Sequence, residues 1–116
     1  MSLWDERVAF QKDVRKMTEY AESLGYEVIW EEVKRPLEMQ VIYVKTGRSK
    51  TVKSRHLDGL AIDCAFRKNG KLTYDVPEVG RYWESLNPKN RWGGNFDQDW
   101  TKPDRWVDKP HFERGP

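Results

Sequence analysis

Residues 60–66, Leu-Ala-Ile-Asp-Cys-Ala-Phe, alternate with a period of two. Leu60, Ile62, Cys64 and Phe66 fall on one side of a strand, and Ala61, Asp63 and Ala65 on the other. The first set requires a core to pack against. The second sets an aspartate between two small residues, which leaves room above it for a metal or a substrate. A purely structural carboxylate would not need that space. Gly59 breaks the backbone ahead of the strand. Just upstream stands His56, and the last segment, Asp108-Lys109-Pro110-His111-Phe112-Glu113, holds the other of the two histidines. Alternation there turns Phe112 toward a core and puts His111 and Glu113 together on the opposite face.

The other elements are legible around this strand. Ser2 to Leu24 has Leu3, Phe10, Val14, Met17, Ala21 and Leu24 at helical spacing. Ser2 with Asp5 resembles a capping box, and Gly25 is a natural stop. Tyr26 to Lys34 reads as a strand, with Tyr26, Val28 and Trp30 alternating. Arg35-Pro36 then opens a helix with Leu37, Val41 and Val44 on its apolar side, ended by Gly47. This puts Arg35 at a strand-to-helix junction, from which a side chain can project into a cleft. Residues 47–54 form a basic loop. Lys68-Asn69-Gly70-Lys71 is a turn after which Leu72-Thr73-Tyr74 pairs back. Pro77 to Leu86 is a short helix, and residues 87–90 a loop. The paired glycines after Trp92 let backbone approach something closely. Residues 97–106 are irregular, and Asp97, Asp99 and Asp104 match no calcium-loop spacing. No repeat or linker divides the chain, so residues 1–116 are expected to form a single domain.

Composition narrows the function classes. Of 116 residues, 37% are hydrophobic and 13% aromatic, enough to bury a core although 34% are charged. No apolar run is long enough to cross a bilayer, and the N-terminal residues lack a signal-peptide stretch. The chain is therefore expected to be made in the cytoplasm and to act elsewhere only after release. Cys64 is the single cysteine. It excludes an internal disulfide and a cysteine-based zinc site, and reads as a small buried hydrophobe. Net charge is +2, but residues 34–55 are strongly basic. A solvated face accounts for that run; a polyanionic partner is the functional reading, and no nucleic-acid motif supports nucleic acid as that partner.

A catalytic zinc takes three protein ligands and leaves one position for water. His56, Asp63 and His111 supply that number. A lone histidine is more often a surface or core residue than a ligand, and the spacing is not the HExxH arrangement. From the residues alone, zinc and no zinc both remain open.

Three separated segments carry a resemblance: Ser54-Arg55-His56-Leu57-Asp58-Gly59-Leu60-Ala61-Ile62-Asp63, then Trp92-Gly93-Gly94, then Asp108-Lys109-Pro110-His111-Phe112-Glu113. Together they resemble the zinc peptidases of the D-alanyl-D-alanine carboxypeptidase and L-alanyl-D-glutamate endopeptidase family, which includes many phage endolysins. Arg35 to Gln40, with Tyr43 and Gly47-Arg48-Ser49, resembles a further stretch of that family. Pro36 stands where the family usually has serine or threonine, and Asn95-Phe96 replaces an acidic-aromatic pair. The resemblance implies a small α+β domain, an antiparallel sheet with helices packed on one side, as in the hedgehog signalling domain. It implies Zn2+ held by His56, Asp63 and His111, Asp108 as catalytic base, and Arg35 binding a substrate carboxylate or steadying the oxyanion. Trp92 is a core or cleft-wall residue and a candidate substrate contact. Glu113 is a candidate to support His111, from strand geometry alone.

The function this implies is hydrolysis of the peptide stem of peptidoglycan, with the L-alanyl-D-glutamate bond preferred, by a monomer active in bacterial lysis. The short chain suits a lysis enzyme better than a resident envelope enzyme. The alternatives are a D-alanyl-D-alanine carboxypeptidase or dipeptidase, and a zinc-stabilised binding module without catalysis.

Overall fold

Helix α1 spans Leu3–Ser23 and begins at Ser2, whose hydroxyl accepts from the Asp5 amide while Asp5 reaches back to the Ser2 amide. This reciprocal cap satisfies two donors that a helix start leaves unpaired. Gly25, at φ +92°, ends the helix in a conformation that side chains resist. These details belong to a computed structural model that describes residues 2–32, 59–95 and 108–115. The expected helix from Pro36, the basic loop 47–54 and the irregular stretch 97–106 lie outside the described residues.

Among the described residues the remaining elements are β1 (Glu27–Glu32), β2 (Ala61–Lys68), β3 (Lys71–Thr73), α2 (Pro77–Leu86), β4 (Asn90–Trp92) and β5 (His111–Arg114). The strands form one antiparallel sheet in the order β1-β2-β5-β4, with β3 also paired to β2. Strand β2 is long enough to serve two partners along one edge: Ala61–Asp63 pair with β5, and Phe66–Lys68 with β3. Asn69 and Gly70 both take positive φ, 54° and 76°, which closes the β2–β3 hairpin as the Asn-Gly pair demands. The β1–β2 register slips between Trp30 and Glu32, opposite Asp63. Such irregularities recur beside functional sites because they re-aim neighbouring side chains.

Both described helices pack on one face of the sheet. Phe10, Val14, Met17 and Ala21 of α1 and Val79 and Trp83 of α2 meet Leu60, Ile62, Cys64, Phe66, Trp92 and Phe112. Trp83 is the hub, edge-on to Phe10 at 5.6 Å and to Phe112 at 6.0 Å. Full burial of each such side chain contributes about 1.5–3 kcal/mol. The small α+β domain with helices on one side is therefore the fold the resemblance implied, and the opposite face of β2 and β5 is left to carry chemistry.

Candidate metal centre

The pairing of β2 with β5 sets Asp63 directly across from His111, and Ala61 across from Glu113. Directly opposed residues share a face, so Asp63, His111 and Glu113 converge on the side away from the helices. Asp63 Oδ1 lies 3.4 Å from His111 Nδ1. His111 Nε2 and Glu113 Oε1 are 2.8 Å apart. An ionised carboxylate can only accept, so the proton of this bond sits on Nε2. Glu113 Oε2 in turn accepts from Arg91 Nη2 at 2.7 Å. The His111 and Glu113 side chains are each 8% exposed and Asp63 is 18% exposed.

Two carboxylates around one imidazole make a place for positive charge. Burial alone would lower the pKa of His111, but its hydrogen bonds to Asp63 and Glu113 outweigh that and push it up to about 9. Burial works to raise the carboxyl of Glu113, yet His111 and Arg91 hold it down at about 2. The charge this pocket favours is supplied by a proton or by a metal cation. Two donors at about 2.0–2.1 Å from a tetrahedral zinc stand about 3.4 Å apart, which is the Asp63–His111 separation. A histidine that binds zinc through one nitrogen usually donates its other N–H to a carboxylate, as His111 does to Glu113. The oxygen and nitrogen donors present therefore fit zinc. Among the described residues no group of three histidines, cysteines or acids gathers as a complete metal cage. His56, the expected third ligand, lies outside the described residues, as does Arg35.

Asp108 and His111 are held by a turn that the Trp92-Gly93-Gly94 segment grips. The Gly93 amide donates to His111 O and the Asp108 amide to Gly93 O, each at 2.7 Å, and the His111 amide donates to Asp108 O at 2.9 Å. On the other flank the Cys64 amide donates to Pro110 O at 2.9 Å. A Cβ on Gly93 would sit 1.8 Å from Asp108 O. The close approach expected from the glycine pair is thus to the turn that carries Asp108. Trp92 is buried in the core, 2% exposed, and its indole N–H donates to Lys109 O at 2.8 Å. It lies beneath the turn that carries Asp108 and His111. Glu113 stands on the His111 face as strand alternation requires.

Two features went unread in the sequence. Arg91 belongs to a strand too short for its alternation to stand out, yet it stands opposite Glu113. Behind the sheet, Arg114 pairs with Asp13 of α1, and Asn90 donates to the same carboxylate at 3.1 Å. A lone Asp13 on an otherwise apolar helix face was the available signal.

No family model matches the chain. In sequence it is 29% identical over 99 residues to the L-alanyl-D-glutamate peptidase of Listeria phage A118, a match that covers 85% of this chain and 34% of that protein. The chain thus spans about a third of the length of that relative. Its fold matches the crystal structure of the Serratia marcescens L-Ala D-Glu endopeptidase ChiX with a TM-score of 0.68, at 22% identity, over 90% of this chain and 77% of the other. The chain is thus similar in sequence to one L-alanyl-D-glutamate peptidase and has the fold of another.

Proposed function

We propose that this protein is a zinc-dependent peptidoglycan peptidase that cleaves between L-alanine and D-glutamate of the wall peptide. The observation that carries the reading is the Asp63–His111 pair at zinc-ligand separation, with the far nitrogen of His111 held by Glu113. The name of the phage A118 relative, an L-alanyl-D-glutamate peptidase, supports the choice of bond. Asp63, His111 and His56 would hold the metal. Bound there, zinc would supply a Lewis acid and ease the ionisation of a water.

The remaining work falls to the chain's own residues. Asp108 takes the proton from the attacking water on its carboxylate and passes it to the nitrogen of the departing amine. Its turn is tied by backbone bonds on both flanks, so the carboxylate's starting point is fixed. Arg35 holds a substrate carboxylate through two parallel N–H bonds, a geometry suited to the D-glutamyl group. Glu113 fixes the His111 ring and takes no proton in the reaction.

Digestion of purified cell wall, with and without a chelator, tests the reading. A new N-terminal D-glutamate that fails to form in the presence of chelator is the expected product. Release of D-alanine would transfer the activity to a carboxypeptidase, and wall left intact in both arms would refute the peptidase reading.

A further inference from the structure

The centre contains an arginine that the proposed reaction does not use. Arg91 stands directly across from Glu113 in the β4–β5 register, and its Nη2 donates to Glu113 Oε2 at 2.7 Å. The other oxygen of that carboxylate accepts from His111 Nε2 at 2.8 Å. Both oxygens of one buried carboxylate are committed, one to each neighbour. Glu113 cannot turn about its last bond without losing both. The backbone beneath is pinned at the same place, because the Trp83 indole N–H is shared between Arg91 O and Glu113 O, each at 3.2 Å. Arg91 also bears a cost for its position: its Nε is buried and, among the described residues, has no hydrogen-bond partner. An arginine serving only as a solvated surface charge would not desolvate that N–H. Its side chain is 38% exposed against 8% for Glu113, so the pair reaches inward from the rim of the site.

We propose that Arg91 is a positioning residue for the metal centre: by holding Oε2 of Glu113 it keeps Oε1 on His111 Nε2, and so keeps His111 Nδ1 facing Asp63. The consequence for zinc rests on the reading above; the effect on the ring does not. Without Arg91 the Glu113 carboxylate loses the contact that fixes its rotation. The imidazole then loses the acceptor that decides which nitrogen it presents.

The test compares Arg91→Gln and Arg91→Lys with a control, Arg67→Gln, which removes an exposed ion pair to Glu27 on the same sheet. The first measurement is imidazole 15N NMR of the full, metal-free chain. The parent and the control are expected to show a slowly exchanging Nε2–H on His111, and Arg91→Gln one that exchanges at least about tenfold faster. The second is zinc affinity by competition with a chelating dye. Carboxylate partners of ligand histidines are typically worth about 10–100-fold in affinity, and Arg91→Gln is expected to lose about tenfold. Arg91→Lys should recover most of both effects, since Glu113 takes a single N–H from Arg91. Thermal unfolding of each variant separates this role from a structural one, which would lower the midpoint without changing the ring signal. The inference is overturned if Arg91→Gln keeps the parent's ring signal, if the control shifts as much, or if the parent lacks a protected Nε2–H. A parent that binds no zinc would sink the zinc reading, and the ring signal would still decide the role of Arg91.

Discussion

Replacing Asp108 by asparagine keeps its size and shape and removes its ability to accept a proton. Among the described residues its turn is held through backbone atoms, the Asp108 amide to Gly93 O and the His111 amide to Asp108 O, and asparagine retains these bonds. The expected result is a fall in turnover of about 10²–10⁴-fold, the usual worth of a general base, with zinc content unchanged. Metal analysis beside a wall-digestion assay checks it. Loss of zinc in step with activity would make Asp108 a ligand, and near-normal turnover would move the base elsewhere. Cys64 plays no comparable part. It is fully buried and its thiol is pushed up by burial and by nearby acids, Asp63 first, so it serves as packing.

Among elements, the turn at 108–111 and the strand β4 act as one unit. The contact between them is backbone against backbone at Gly93, where any Cβ would meet Asp108 O at 1.8 Å. Neither partner is a flexible side-chain end that can swing away. Gly93→Ala should therefore cost at least about 1–3 kcal/mol of stability, the range of an overpacked site. It should also weaken metal binding, because the turn leads straight into His111. Denaturant unfolding and zinc competition on the same variant measure the two effects. A variant as stable as the parent, with parental affinity, would show that the turn is not held where the hydrogen bonds set it. The same unit explains why Trp92 is flanked so tightly: a Cβ at Gly80 or at Gly94 would each fall 2.3 Å from its ring.

Across the whole molecule, the first helix and the last strand are joined through charge. Asp13 and Arg114 are paired in the interior, their side chains 11% and 4% exposed, with Asn90 bridging to both. Asp13→Ala would leave Arg114 buried without its main partner, which typically costs about 3–5 kcal/mol. That is a large share of the roughly 5–15 kcal/mol that holds a domain together. Changing both residues to apolar ones of similar volume, Asp13→Leu with Arg114→Met, should be far milder, because no charge is then stranded. Urea unfolding of the single and double variants decides it, and a double variant no better than Asp13→Ala would mean the loss lies in packing. The proposed zinc would act at the same scale. With zinc at about a hundred times its dissociation constant, binding adds about 2.7 kcal/mol to stability. Chelation should then lower the thermal midpoint by roughly 10 °C. An unchanged midpoint would argue against a bound metal in the folded chain.

Elements set by local rules were legible in the chain itself. The Ser2–Asp5 cap, the stop at Gly25, the Asn69-Gly70 hairpin and the alternation through residues 60–66 depend on neighbours a few positions away. So does the rule that puts His111 and Glu113 on one face with Phe112 on the other. The tertiary structure alone decided which strands meet, since register between segments distant in sequence comes from packing and not from local preference. It set Asp63 across from His111 and brought Arg91 to Glu113 from a strand of three residues, Asn90–Trp92. It turned Trp92 into the core, because the face of β4 that pairs with Phe112 lies over the helices. It also paired Asp13 with Arg114: a buried charge must find its counter-charge wherever the fold delivers one, here from the opposite end of the described chain.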